Sequence, residues 1–207
     1  MLRGGIMRRK EFEENDRKSL EEVLKTADVG ALTFNAPDGF PRITPLNFVY
    51  DGRILWHGAV AGERFECLQR DSRATFCAVS AQAYVPSHLL SEENATNATA
   101  AFKSVIVRGR CQTIDDPMEK CAVLNALMDK YQPEGRFRRV TPQDPLYVKV
   151  LAATGVFALQ AEEISGKFKL AQNKTAEARK KIADWLPSRG LPQDLLIAEE
   201  IRKTLKE

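Results

Sequence analysis

Pro41-Arg-Ile-Thr-Pro-Leu-Asn-Phe-Val-Tyr50, the pair Asp51-Gly52 and Arg53-Ile-Leu-Trp-His-Gly58 read as two strands meeting at a tight turn. An Asp-Gly pair between apolar runs is a strong hairpin signal, because both central residues of the turn favour positive φ. The first strand is expected over Ile43–Tyr50 and the second over Arg53–Gly58. Pro41 and Pro45 confine the first to a sheet edge or a bulge, since proline has no N–H for a ladder. Upstream, Val29–Phe34 is a short apolar run closed by Asn35-Ala-Pro-Asp-Gly39, a further turn signal. Downstream, Arg73–Val85, Phe102–Ile114 and Gly155–Glu163 have strand character, the last alternating Val156, Ala158 and Ala161 with Phe157, Leu159 and Gln160.

Helical signals lie between and around these runs. Residues 16–27 place Leu20, Val23, Leu24 and Ala27 on one face, with Ser19 and Glu22 spaced as a capping box. Gly62–Arg70 reads as a short helix. Asp116-Pro117-Met-Glu119 starts another, reaching Tyr131 with Leu124, Leu127, Met128 and Tyr131 on its inner stripe. A short helix near 143–151, a helix capped by Thr175 and ending at Trp185, and a terminal helix over Pro192–Leu205 complete the pattern. Pro86–Ala101 is expected to be a surface loop or lid. Six strand candidates, mostly in hairpins and rarely in βαβ order, imply a mainly β fold with flanking helices, a six-stranded antiparallel barrel. Residues 1–15 then form an N-terminal extension, 16–165 the barrel domain, and 166–207 a C-terminal loop and helices packed on the barrel or on a partner.

Composition removes several classes of function. The chain has 207 residues, 43% hydrophobic and 29% charged, with a net charge of +3. Such a weak, dispersed charge gives no nucleic-acid footprint. No apolar run approaches the ~20 residues that span a bilayer, and Met1-Leu-Arg-Gly-Gly-Ile-Met-Arg-Arg-Lys10 lacks a secretory core. Met7 is an alternative start. Cys67, Cys77, Cys111 and Cys121 match no zinc spacing and read as reduced thiols of a cytoplasmic protein. The sequons at Asn94, Asn97 and Asn173 matter only in a secreted chain.

Acid–base equipment is sparse. His57 and His88 are the only histidines, and no nucleophile elbow, zincin motif, P-loop or dinucleotide fingerprint occurs. A cofactor is therefore expected to carry any difficult chemistry. The segment Leu55-Trp-His-Gly-Ala-Val-Ala-Gly-Glu-Arg64 suits one with a phosphate. His57, Gly58 and Ala59 leave space beside the backbone, Gly62 turns the chain, and the helix start offers free amides. Arg64 adds a charge-assisted contact. The plain alternative is a hairpin followed by a surface helix, with Arg64 in solvent and His57 a barrel residue. Trp56 at alternating strand spacing is expected in the core, and Trp185 and Phe168 against helices.

Met7-Arg-Arg, Phe40-Pro-Arg-Ile-Thr-Pro-Leu-Asn-Phe-Val-Tyr50 and Trp56-His-Gly-Ala-x-x-Gly-x-Arg64 resemble the nitroimidazole-resistance-like branch of the pyridoxamine-phosphate-oxidase superfamily. Phe102-Lys-Ser-Val-Ile-Val-x-Gly109, Asp116-Pro-Met-Glu-Lys120 and Leu127-Met-Asp-Lys-Tyr131 extend the likeness over residues 7–165. The resemblance implies an FMN-binding split barrel, a homodimer with FMN at the subunit interface. It places Pro45, Leu46 and Asn47 along the isoalloxazine ring and His57, Gly58 and Ala59 beside the ribityl phosphate. Gly62 and Arg64 close over that phosphate; the branch often carries lysine where Glu63 stands between them, and an acid there is expected to point away from the phosphate. Ser104 falls where a polar cofactor contact is expected; a hydroxyl bonded within the sheet is its alternative. Ile164-Ser-Gly-Lys-Phe-Lys-Leu-Ala-Gln-Asn173 is similar to FMN-binding regulator-like relatives, implying that Lys167, Lys169 and Gln172 reach the flavin or a substrate anion from the partner. A solvated basic loop is the other reading.

The activity so implied is NAD(P)H-driven reduction of a small electron acceptor, nitroaromatic- or quinone-like, with no obligatory catalytic side chain and no metal. A haem-binding barrel using His57, or an FMN-binding sensor without turnover, are the rivals. The resemblance does not imply vitamin B6 oxidation, because the basic C-terminal substrate-binding stretch of true pyridoxamine-phosphate oxidases has no counterpart in the Leu191–Glu207 tail.

Overall fold

The computed structural model describes residues 7–205. The choice of Met7 as start concerns residues 1–6, outside that range. The strands are β1 (Glu13–Glu14), β2 (Gly30–Asn35), β3 (Pro41–Leu46), β4 (Val49–Tyr50), β5 (Ile54–Ala59), β6 (Arg73–Val85), β7 (Thr99–Thr113) and β8 (Thr154–Lys169). The α-helices are α1 (Arg17–Thr26), α2 (Glu63–Arg70), α3 (Pro117–Tyr131), α4 (Val148–Ala153), α5 (Ala176–Trp185) and α6 (Pro192–Lys203). The sheet runs β3-β2-β6-β7-β8-β5-β4, and β1 pairs with β8. The ladders β1–β8, β2–β3, β2–β6, β4–β5 and β5–β8 are all antiparallel.

The class is the expected one, mainly β with flanking helices, but eight strands form rather than six. β1 is only Glu13–Glu14 and carries no apolar pattern to announce it. The second extra strand comes from 43–50, which divides. β3 pairs with β2 across the 36–40 turn, and β4 alone pairs with β5 across Asp51-Gly52. The break falls at Phe48, whose backbone is claimed by α3. The Phe48 N–H donates to Tyr131 Oη at 2.9 Å, and its carbonyl accepts from Lys130 Nζ at 3.0 Å. A residue so engaged cannot also serve a ladder. β3, with Pro41 and Pro45, does lie at the sheet edge.

The described chain divides into two compact units. One holds residues 7–27, 79–105 and 165–205; the other holds 28–78 and 106–164. In the second unit, β5 and β8 pair Leu55 with Ala158, Trp56 with Phe157, His57 with Val156 and Gly58 with Gly155. Leu55, Val156 and Ala158 pack beneath Val123 and Leu127 of α3. On the opposite face Trp56, fully buried as expected, stacks on Phe157 with centroids 5.7 Å apart, and Phe65 of α2 meets Phe157 edge-on. Both faces being covered, Val156–Leu159 are buried consecutively and the expected alternation is lost. Each such Val, Leu or Phe adds about 1.5–3 kcal/mol.

The first unit carries α1, α5 and α6. α1 begins at Arg17 because Asp16 caps it, accepting from the Ser19 N–H at 2.8 Å, so Ser19 is not the cap. Asp116 caps α3 of the other unit as expected, accepting from the Glu119 N–H at 2.8 Å. Such caps contribute about 1 kcal/mol. Other elements shift: β8 continues to Lys169, α4 spans Val148–Ala153, and short 3-10 turns at Ser87–Leu89 and Ala95–Asn97 occupy the expected 86–101 loop before β7 begins. No helix of the described residues is long and apolar enough to cross a membrane.

Candidate functional site

The residues singled out from the sequence fall into two groups, one in each unit. Nine lie in the second unit. Pro45 and Leu46 end the edge strand β3, opposite Ala31 and Gly30, with Leu46 buried and Pro45 exposed. Asn47 is exposed in the break before Phe48. His57 and Ala59 are exposed at the end of β5. Gly62 is the N-cap of α2 at φ 92°, a left-handed conformation that a side chain would strain.

Gly58 and Arg64 are brought into direct contact. The Arg64 guanidinium lies over the Gly58 backbone, and any side chain at Gly58 would collide with Nη2. Arg64 is half-buried. Burial draws its pKa below the ordinary value, and no acid among the described residues offsets the shift. The adjacent acid is removed: Glu63 pairs with Arg42 Nε at 2.9 Å, and Arg42 also holds Asp38 at 2.8 Å. The first bond of α2 runs from the Glu66 N–H to the Gly62 carbonyl at 3.0 Å, so the amides of Glu63, Arg64 and Phe65 precede the helical ladder. A guanidinium with no ion pair among the described residues, a backbone opened by glycine and helix-start amides are the donor set of a phosphate cradle. The residues present therefore fit the phosphate-bearing cofactor that the sequence implies.

Sequence reasoning missed Arg42, whose pairing with Glu63 leaves Arg64 as the cradle's charge. It also missed the clamp on Phe48. Lys130 Nζ sits 4.2 Å from the Phe48 ring centroid while donating to the Phe48 carbonyl, and Tyr131 Oη also donates to the Asp28 carbonyl at 2.7 Å. This clamp fixes the chain next to Asn47. Its only sequence signal was the Lys130-Tyr131 end of a resembling motif.

Four expected residues lie in the first unit. Ser104 Oγ makes a 3.4 Å contact with the Lys167 carbonyl across β7 and β8, the sheet-bonded alternative for its hydroxyl. Lys167 is exposed, with Nζ 5.6 Å from the Phe102 ring centroid. Lys169 Nζ donates to Thr99 Oγ1. Gln172 uses both ends of its amide locally: Oε1 accepts from the Leu170 N–H and Nε2 donates to the Phe168 carbonyl, each at 2.6 Å. It thereby shapes the turn that presents Asn173 and Lys174. Cys67, Cys77, Cys111 and Cys121 are unpaired thiols.

Comparison with solved structures gives the same fold at low identity. A candidate 5-nitroimidazole antibiotic resistance protein from Bacteroides thetaiotaomicron aligns with TM-score 0.62 and 22% identity, over 75% of this chain and 85% of that one. The flavocytochrome Anf3 from Azotobacter vinelandii aligns with TM-score 0.67 and 25% identity, over 81% of this chain and 74% of that one. An FAD and haem binding protein from Mycobacterium smegmatis aligns with TM-score 0.63 and 21% identity, over 76% and 73%. No curated protein matches. The model of the pyridoxamine 5'-phosphate oxidase family matches residues 16–168, a span that includes the hairpin, the Gly58–Arg64 bend and the α3 clamp. The chain belongs to the pyridoxamine 5'-phosphate oxidase family.

Proposed function

We propose that this protein binds FMN and acts as a cytoplasmic, homodimeric oxidoreductase, taking electrons from NAD(P)H and reducing a small electrophile. The observation that carries the reading is Arg64, a half-buried guanidinium without a carboxylate, laid over Gly58 at the start of α2. Burying an unpaired charge is unfavourable unless an anion completes it. The FMN phosphate is the anion proposed, held by Arg64 and the amides after Gly62, with His57 and Ala59 flanking it. Pro45, Leu46 and Asn47 line the ring, on a segment fixed by Lys130 and Tyr131. Ser104 adds a polar contact, and Lys167, Lys169 and Gln172 reach the flavin or a substrate anion from the partner subunit. Exposed Phe40 and Ile43, at the β3 edge, suit burial against a second copy.

Bound FMN would supply two-electron chemistry between a reduced nicotinamide and an acceptor such as a nitroaromatic or quinone. The chain's own part is to anchor the phosphate, orient the ring along 45–47 and keep Glu63 away through Arg42. The absorbance of the purified protein tests the reading: two broad flavin bands support it, and colourless folded protein that takes up no added FMN overturns it. A sharp Soret band would instead favour the second reading, haem ligated by His57, whose exposure at the end of β5 leaves it accessible to iron. Stopped-flow mixing with NADH and NADPH separates enzyme from sensor, since a flavin that accepts no electrons speaks for binding alone.

A further inference from the structure

The first unit contains a cavity of about 410 Å³ lined by Arg8, Arg9, Lys167, Lys169 and Lys174. Five cationic side chains and no carboxylate face it among the described residues. Two cations are held in place by neutral acceptors, which fix their position without cancelling their charge. Lys169 Nζ donates to Thr99 Oγ1, and Lys174 Nζ donates to Asn97 Oδ1 at 3.2 Å. The acids nearby do little to balance them. Glu11 reaches Arg9 only at 4.0 Å, with both side chains well exposed, where a pair contributes little. Glu13 stands opposite Lys167 in the β1–β8 ladder but forms no ion pair with it. Burial, followed by the charges of Lys167 and Arg9, pulls the Lys169 pKa below the ordinary lysine value.

Converging like charges oppose one another unless a ligand of opposite sign completes the site. The volume falls within the ~300–1,000 Å³ range of small-molecule sites, more room than one phosphate group needs. The half-buried Phe102 ring adds an apolar wall. We propose that this cavity is a binding site for an oligophosphate anion, a diphosphate group either free or carried by a nucleotide. Two of its cations, Lys167 and Lys169, are also proposed flavin contacts; Arg8, Arg9 and Lys174 are not, and they take the oligophosphate alongside FMN rather than in its place.

The test is calorimetric titration of the full chain, both flavin-free and FMN-loaded, with inorganic diphosphate and with ADP at low ionic strength. Both probes are expected to bind if the diphosphate alone is recognised, and ADP the more tightly if the Phe102 wall takes a base. The double variant Arg8→Ala/Lys174→Ala should weaken binding at least tenfold, with thermal midpoint and FMN content unchanged. Lys180→Ala, on the exposed side of α5, should leave binding intact. Neither probe binding, equal loss in the Lys180 variant, an undiminished affinity in the double variant, or release of bound FMN by diphosphate would each overturn the proposal. Tight binding of a single-stranded RNA oligomer with none of diphosphate would do the same. Diphosphate binding by a protein that takes up no FMN would sink the flavin reading while sustaining this one.

Discussion

The bend at Gly58–Arg64 and the cavity around Lys169 both concentrate positive charge, yet they do so by opposite means. The bend uses one guanidinium and makes it effective by shape: glycine removes the side chain beneath it, and Arg42 draws the neighbouring acid aside. The cavity uses five cations and little shape, holding them with Thr99 and Asn97 rather than with acids. A site made by shape should respond most to a change of volume, and a site made by charge most to ions in solution. The two kinds of perturbation should therefore separate them.

The largest effect is expected from Gly58→Val, which fills the space of the Arg64 guanidinium. FMN dissociation constants from flavin fluorescence should rise about a hundredfold, equivalent to roughly 3 kcal/mol for a lost charged contact. Arg64→Ala should lose about 1–3 kcal/mol of FMN affinity, and an unchanged affinity in either variant would break the argument from shape. Next comes Tyr131→Phe, which deletes the hydroxyl shared by Phe48 and Asp28. Urea unfolding should show a loss of about 1–2 kcal/mol; no loss would mean that the clamp does not fix the strand break. Raising salt from about 0.1 M to 1 M shortens the screening length from ~10 Å to ~3 Å. Diphosphate binding at the cavity should fall steeply, and FMN binding at the half-buried Arg64 much less. Equal slopes would erase the distinction.

A last test reports on the surroundings of Cys111, a partly buried thiol in the unit that holds the bend. Burial pushes the Cys111 thiol from 9.0 up to about 12. Because the folded state resists ionisation, this group's contribution is intact below pH 9 and is lost as pH rises towards 12. Unfolding free energy should decline across that window, and Cys111→Ala should flatten the decline. A wild-type profile no steeper than the variant's would contradict the burial of that thiol.

The same contrast explains what the sequence disclosed. Asp116-Pro117 and Asp51-Gly52 announced a helix start and a turn because each signal is contained in adjacent residues. The Gly58–Arg64 bend was legible for that reason too, within one short window. The break at Phe48 was not, since its cause lies in Lys130 and Tyr131, more than eighty residues away. β1 was invisible because two glutamates pair there through their backbone, opposite Lys167 and Gly166, without any apolar alternation. Ser19 was mistaken for a cap because the capping-box pattern fitted it, while Asp16 stood one turn earlier with the better-placed oxygen. The cavity gathers Arg8, Asn97 and Lys174 from three distant stretches, and no window of the sequence contains it.

The most direct trial of the account compares FMN with riboflavin, which differ by the phosphate alone, on the wild-type chain and on Arg64→Ala. The wild type should bind FMN at least tenfold more tightly than riboflavin, and the variant should lose most of that preference. Equal binding of the two by the wild type, or a preference that survives in the variant, would show that Arg64 does not grip a phosphate.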